Sequence, residues 1–120
     1  MKTLPQYIAD HLETPFGWGS HDCVLFAIGW LEIATGRDYL SAYKPWSSAK
    51  QAMRKVEAAG GLMGLFNTNL QPINPHFAVD GDIGLINGCA FLFSGPNVVS
   101  VGESGLVFLN RLDAKCAWHY

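Results

Sequence analysis

Cys23 stands at the head of a long apolar run, directly behind His21 and Asp22, in the stretch GSHDCVLFAIGW. A thiol in the first turn of a helix lies at the positive end of the helix dipole, which favours thiolate and lowers its pKa. Such a thiolate can attack a peptide or amide carbonyl if a base and donors for the oxyanion stand nearby. The opposing reading makes Cys23 a small apolar residue at the top of a core helix, since free cysteine is among the most buried residue types. Asp22 reads first as the cap of that helix, with Ser20 as the alternative, and only then as support for a nucleophile.

Four histidines are available as bases. His21, two residues before Cys23, can approach a helix-start thiol from an extended segment, although an exposed loop position is the plainer reading. His76, in NPHFAVDGD, precedes a strand and could reach across a sheet end; its alternative is an ordinary loop residue. His11 reads as solvated beside Asp10, and His119 as fraying at the chain end. His21, Cys23, Cys89, Cys116 and His119 would supply enough soft ligands for zinc or an iron–sulfur cluster. Their spacing is wrong for a compact zinc knuckle, and on a strand Cys116 and His119 point to opposite faces. No metal and no other cofactor is expected.

The bulk composition narrows the classes. With 120 residues, 49% apolar and 15% charged, the chain reads as a single domain over 1–120 with a real core. Its net charge is −2 and its eight Lys and Arg are scattered from Lys2 to Lys115, which argues against a nucleic-acid surface. No stretch approaches the roughly 20 apolar residues of a membrane span. MKTLPQYIADHLETP has no apolar h-region, so no Sec signal is expected. Three cysteines, an odd count, point to free thiols rather than a disulfide framework.

The elements that must position these residues fall into two halves. Thr3 caps a first helix that tolerates Pro5, with Leu4, Tyr7, Ile8 and Leu12 on its apolar positions. Cys23 to Ala34 is apolar nearly all round and ends at Gly36, as expected of a helix in the middle of a domain. Ser48 and Gln51 have capping-box spacing for a third helix with Ala49, Ala52, Met53 and Val56 on one face, ended by Gly60 and Gly61. LMGLFNTNLQPINPHFAVDG reads as irregular with one short helical turn. From Asp82 onward short strands follow: DIGLI and CAFLF around an Asn87-Gly88 type I′ turn, then VVSV, LVFL and AKCAWHY. The expected fold is α+β, with N-terminal helices packed on a C-terminal antiparallel meander. Phe26, Trp30, Phe91, Phe93 and Phe108 belong to the expected core, while Trp18 and Trp46 are candidates for a glycan or peptide groove.

Trp18-Gly19, Asp22-Cys23, Gly36 with Asp38, Gly81-Asp82, the GLVFL at 105–109 and Ala117-Trp118 follow one another in an order with a counterpart. This order resembles the NlpC-type cell-wall cysteine peptidases of the papain-like superfamily, and in particular their small phage-tail-associated relatives. The resemblance covers nearly the whole chain and rests on order rather than on any single motif. It implies a papain-like domain with Cys23 as nucleophile and backbone N–H groups at the helix start as oxyanion donors. In active members a histidine opens the strand after the GD strand; aligning that strand on CAFLFSG puts Cys89 at the base position. Two functions are therefore expected. One is a cysteine peptidase or amidase acting on peptidoglycan stem peptides, with His21 or His76 as an unconventional base. The other is a catalytically degenerate structural or tail-tip component without hydrolase activity. The implied partners are a peptidoglycan peptide or phage tail proteins, with no nucleic acid and no membrane span. The implied location is the cytoplasm when made, then a phage virion tail.

Overall fold

The computed structural model describes residues 2–17, 21–39, 49–58 and 60–120. The signals carried by Trp18, Gly19, Ser20, Trp46 and Ser48 lie outside the described residues, as do the side chains of Ala49, Ala52, Met53 and Val56.

Helix α1 (Leu4–His11) begins at the expected Thr3, whose side chain accepts from Gln6 N–H while Gln6 reaches back to the Thr3 backbone. This capping box satisfies two donors that the first turn leaves open. Leu4, Tyr7 and Ile8 face the core; Leu12, expected on the same face, is instead the exposed C-cap. Helix α2 (Cys23–Thr35) is capped by Asp22, whose carboxylate accepts from Leu25 N–H at 2.9 Å, and it ends at Gly36 with φ 72°. Its all-round apolar pattern is explained by cover on two sides. The Tyr7 hydroxyl of α1 donates to Phe26 C=O at 2.6 Å on one side, and strands of the sheet pack on the other. Gly29 permits the close approach of α1, because a Cβ there would stand 2.7 Å from the Tyr7 hydroxyl.

Helix α3 spans Ala49–Ala58. The following stretch, read from sequence as irregular, instead forms α4 (Gly61–Asn69), strand β1 (Gln71–Ile73) and a 3₁₀ turn at Pro75–Phe77. Glycines and asparagines hide this helix from propensity, and tertiary packing overrides them. Phe66 is fully buried against Trp118, with ring centroids 5.2 Å apart, and Asn67 accepts from the Trp118 indole N–H at 2.8 Å.

The remaining strands are β2 (Ile83–Ile86), β3 (Cys89–Ser94), β4 (Asn97–Gly102), β5 (Gly105–Asn110) and β6 (Cys116–His119). All six strands form one antiparallel sheet in the order β1-β6-β2-β3-β4-β5. The meander expectation holds for β2 to β5, but β6 returns to pair between β2 and β1. Asn87 and Gly88, both at positive φ, make the expected two-residue turn between Ile86 and Cys89. Ala90, Leu92, Val99 and Trp118 join the helices in one core cluster; Phe91, Phe93, Val98 and Ala117 form a second on the opposite face. Phe108, expected in the core, lies on edge strand β5 and is 45% exposed.

The Gly81-Asp82 pair locks the start of β2. Gly81 has φ 92°, and a Cβ there would stand 2.5 Å from Trp30 Nε1, so no other residue fits without displacement. Asp82 is 1% exposed; one carboxylate oxygen accepts from Val79 N–H, and the other meets His119 Nδ1 at 2.5 Å. His119, expected to fray, is thus tied down and stacks on Tyr120.

His11 and His21 form a second polar contact at the α1–α2 boundary. Their rings stack at 5.1 Å, and His21 also meets the edge of Phe26. The exposed-loop and solvated-face expectations for these two residues are corrected: His21 is buried and His11 half-buried. Burial, then repulsion from His11, hold the His21 pKa below its ordinary value, against an opposing pull from Asp22.

Two predictions follow from this packing. Gly81→Ala should cost roughly 2–4 kcal/mol in denaturant unfolding, the combined scale of backbone strain and overpacking; a loss within experimental error would refute the packing lock. Because the folded state disfavours protonation of His21, its contribution is present above the unfolded pKa near 6.5 and falls away as pH drops. Wild type should therefore lose stability relative to His21→Phe between pH 7 and pH 5. A flat difference across that window would contradict the assignment.

Candidate functional site at the start of helix α2

The site is built where β3 and β4 part. Their ladder runs only from Ser94↔Asn97 to Leu92↔Val99, although β3 begins at Cys89 and β4 continues to Gly102. Ala90 is thereby left with a free backbone edge toward β4. Its C=O accepts from the buried Ser100 hydroxyl at 2.7 Å. Helix α2, whose first residue is Cys23, packs on β3 and β4.

Cys89 is the first residue of β3, at the hairpin end of that strand. Strict alternation groups it with Phe91 and Phe93 on the sheet face away from α2. Cys89 is exposed, whereas Cys23 is partly buried against the core.

These neighbours reverse the expected electrostatics. Donation to Cys89 and then burial push the Cys23 pKa well above the ordinary thiol value, opposed by the Ala90 N–H. The helix dipole contributes about 0.3–1 kcal/mol, less than one pH unit, and does not outweigh them. Cys89 moves the other way: the Cys23 donor lowers it to about 6, despite partial desolvation.

The histidines proposed from sequence do not join Cys23. His21 precedes it by two residues, but its ring is turned to His11 and Phe26, and among the described residues its buried Nε2 has no hydrogen-bond partner. His76 is exposed on the 3₁₀ turn, beside Arg111 and Lys115 at a cavity of about 500 Å³. Arg111 stacks over Phe93, placing that cavity on the sheet face away from α2. The Asp82–His119 pair, which sequence reasoning did not single out as a pair, has a carboxylate–imidazole arrangement suited to orienting a base. It lies at the opposite end of β2 from the Cys89 hairpin, about 13 Å along the strand. The antiparallel neighbours GD and WH were the only sequence signal for it. Asp22 is 1% exposed and serves as the expected cap. Among the described residues, no group of three or more His, Cys, Asp or Glu side chains is arranged to hold a metal ion.

No helix among the described residues is long and apolar enough to cross a membrane. No curated protein and no solved structure matches the chain significantly. One family model matches, over residues 1–120, and it is described as a domain of unknown function. With its whole length matched, the chain belongs to this family, DUF6950.

Proposed function

We propose that the chain is a catalytically degenerate, NlpC-like domain of papain type that serves as a structural or tail-tip assembly component. The observation that carries this reading is the placement of the two histidines expected as base: His21 stacks on His11, and His76 is exposed on the 3₁₀ turn beside Arg111 and Lys115. A cysteine hydrolase needs a base to take the thiol proton and return it to the leaving group. Cys89, at the position where the resemblance expects that base, is an exposed thiol at the start of β3 and supplies no imidazole. Edge strand β5 supports an assembly role, because Val107, Phe108 and Leu109 are all exposed on the last strand of the sheet. The phage-tail setting rests on the resemblance alone.

The second reading, a peptidase or amidase acting on peptidoglycan stem peptides, is favoured by one specific feature. Cys23 occupies the first turn of a helix capped by the Asp22 carboxylate. In that reading His21 or His76 would have to leave its present neighbours to serve as base.

A peptidoglycan-digestion assay separates the two. Wild type and Cys23→Ala, both verified as folded, should release no soluble fragments; release by wild type alone would overturn the degenerate reading. A complementary variant restores the missing group. Cys89→His should increase alkylation of Cys23 at pH 7 by about tenfold or more, the consequence of a pKa lowered by at least one unit. An unchanged rate would show that the β3 start is not the base position.

A further inference from the structure

We propose that the cavity between two 3₁₀ turns binds the phosphate group of a small phosphate monoester, held by Arg111, Lys115 and His76. The cavity, of about 500 Å³, lies on the sheet face away from α2 and shares no residue with the Cys23 site. Local sequence builds its two walls in the same way. Asn74 caps the turn Pro75–Phe77 by accepting from His76 N–H at 2.9 Å, and Asn110 caps a second turn, Arg111–Asp113, by accepting from Leu112 N–H at 2.9 Å. Arg111 then ties the turns together. Its Nη2 donates to the carbonyls of Ala78 at 2.6 Å and Pro75 at 3.4 Å, and its Nη1 to that of Gly95 at 3.2 Å. The guanidinium also stands 5.1 Å from the centroid of the buried Phe93 ring. Its position is therefore set before any ligand arrives, which removes part of the ordering cost of binding.

Uncompensated positive charge selects an anion. All the hydrogen-bond partners of the Arg111 side chain are neutral carbonyls, and these three occupy at most three of its five N–H donors. Among the described residues, the Lys115 ammonium and the His76 ring have neither a hydrogen bond nor an ion pair. No carboxylate lines the cavity: Asp113 falls between two lining residues without being one, and Asp80 accepts from Gly95 N–H at 2.8 Å. Cationic donors thus line a space in which the protein supplies no counter-charge. A phosphate monoester carries about −1.5 to −2 charges at pH 7 and three strong acceptor oxygens. That matches two permanent cations and an imidazole better than a single carboxylate does. Pro75, Leu112 and Ala114 give the cavity an apolar wall. Its volume falls within the roughly 300–1,000 Å³ of small-molecule sites, which leaves room for an organic group on the phosphate.

The test titrates the isotope-labelled full chain at pH 7 with adenosine monophosphate, glucose 6-phosphate, inorganic phosphate and adenosine, following backbone amide shifts by NMR. Both monoesters should shift the amides of His76, Leu112 and Lys115 saturably, and adenosine should not. The tighter of the two monoesters shows whether a nucleoside or a sugar suits the apolar wall. Lys115→Gln should weaken both by about tenfold, the scale of one charge-assisted hydrogen bond. His76→Gln should weaken them too. Both side chains are exposed, so amide spectra away from the cavity should stay as in wild type. Lys2→Gln, on the lysine paired with Asp10, should leave affinity unchanged, which separates the cavity from bulk charge. The proposal is overturned if neither monoester saturates by about 10 mM, or if inorganic phosphate binds as tightly as both. It is equally overturned if the shifts fall elsewhere, or if folded Lys115→Gln and His76→Gln bind as wild type does.

Discussion

Helix α2 has almost no face suited to water, and that constraint organises the molecule. Phe26, Ala27, Ile28 and Leu31 are all at most 2% exposed, so the helix must be enclosed on every side. Helix α1 covers one flank through the Tyr7 hydroxyl and the stacked histidines. Strands β3 and β4 cover another, and Gly81 lets the Trp30 indole settle against the start of β2. Enclosure of this kind favours the fold through apolar burial, and it removes water from whatever stands at the helix ends.

Cys23 shows the chemical consequence. A helix N-terminus favours an anion by a fraction of a pH unit, whereas burial and donation to a second sulfur act in the opposite direction and win. The Cys89 thiol, which water can reach, moves the other way, its pKa lowered to about 6.

Much of the scaffold was legible from local chemistry. The Thr3 and Asp22 caps, the Gly36 stop and the Asn87-Gly88 turn depend on residues within a few positions of one another, and the structure has each where it was expected. Helix α4 was missed because its glycines and asparagines are poor helix formers, while the packing of Phe66 on Trp118 joins segments far apart in the chain. Phe108 was misplaced for a related reason: an apolar strand reads as buried, but β5 is an edge strand, and among the described residues no further strand pairs beyond it. The histidines were misread because each environment comes from another element. His21 owes its burial to α1, and His119 owes its anchor to Asp82 on β2.

By itself the sequence determined the α+β order, the ends of α1 and α2, the hairpin register and the presence of a thiol at the first turn of a buried helix. These follow from backbone propensity, capping and alternation, which act over short range. Tertiary structure alone decided what surrounds each thiol, where each histidine lies and what the GD pair does. Proton affinity depends on dielectric, hydrogen-bond partners and nearby charge, and those are supplied by whichever residues the fold brings to the same few ångströms.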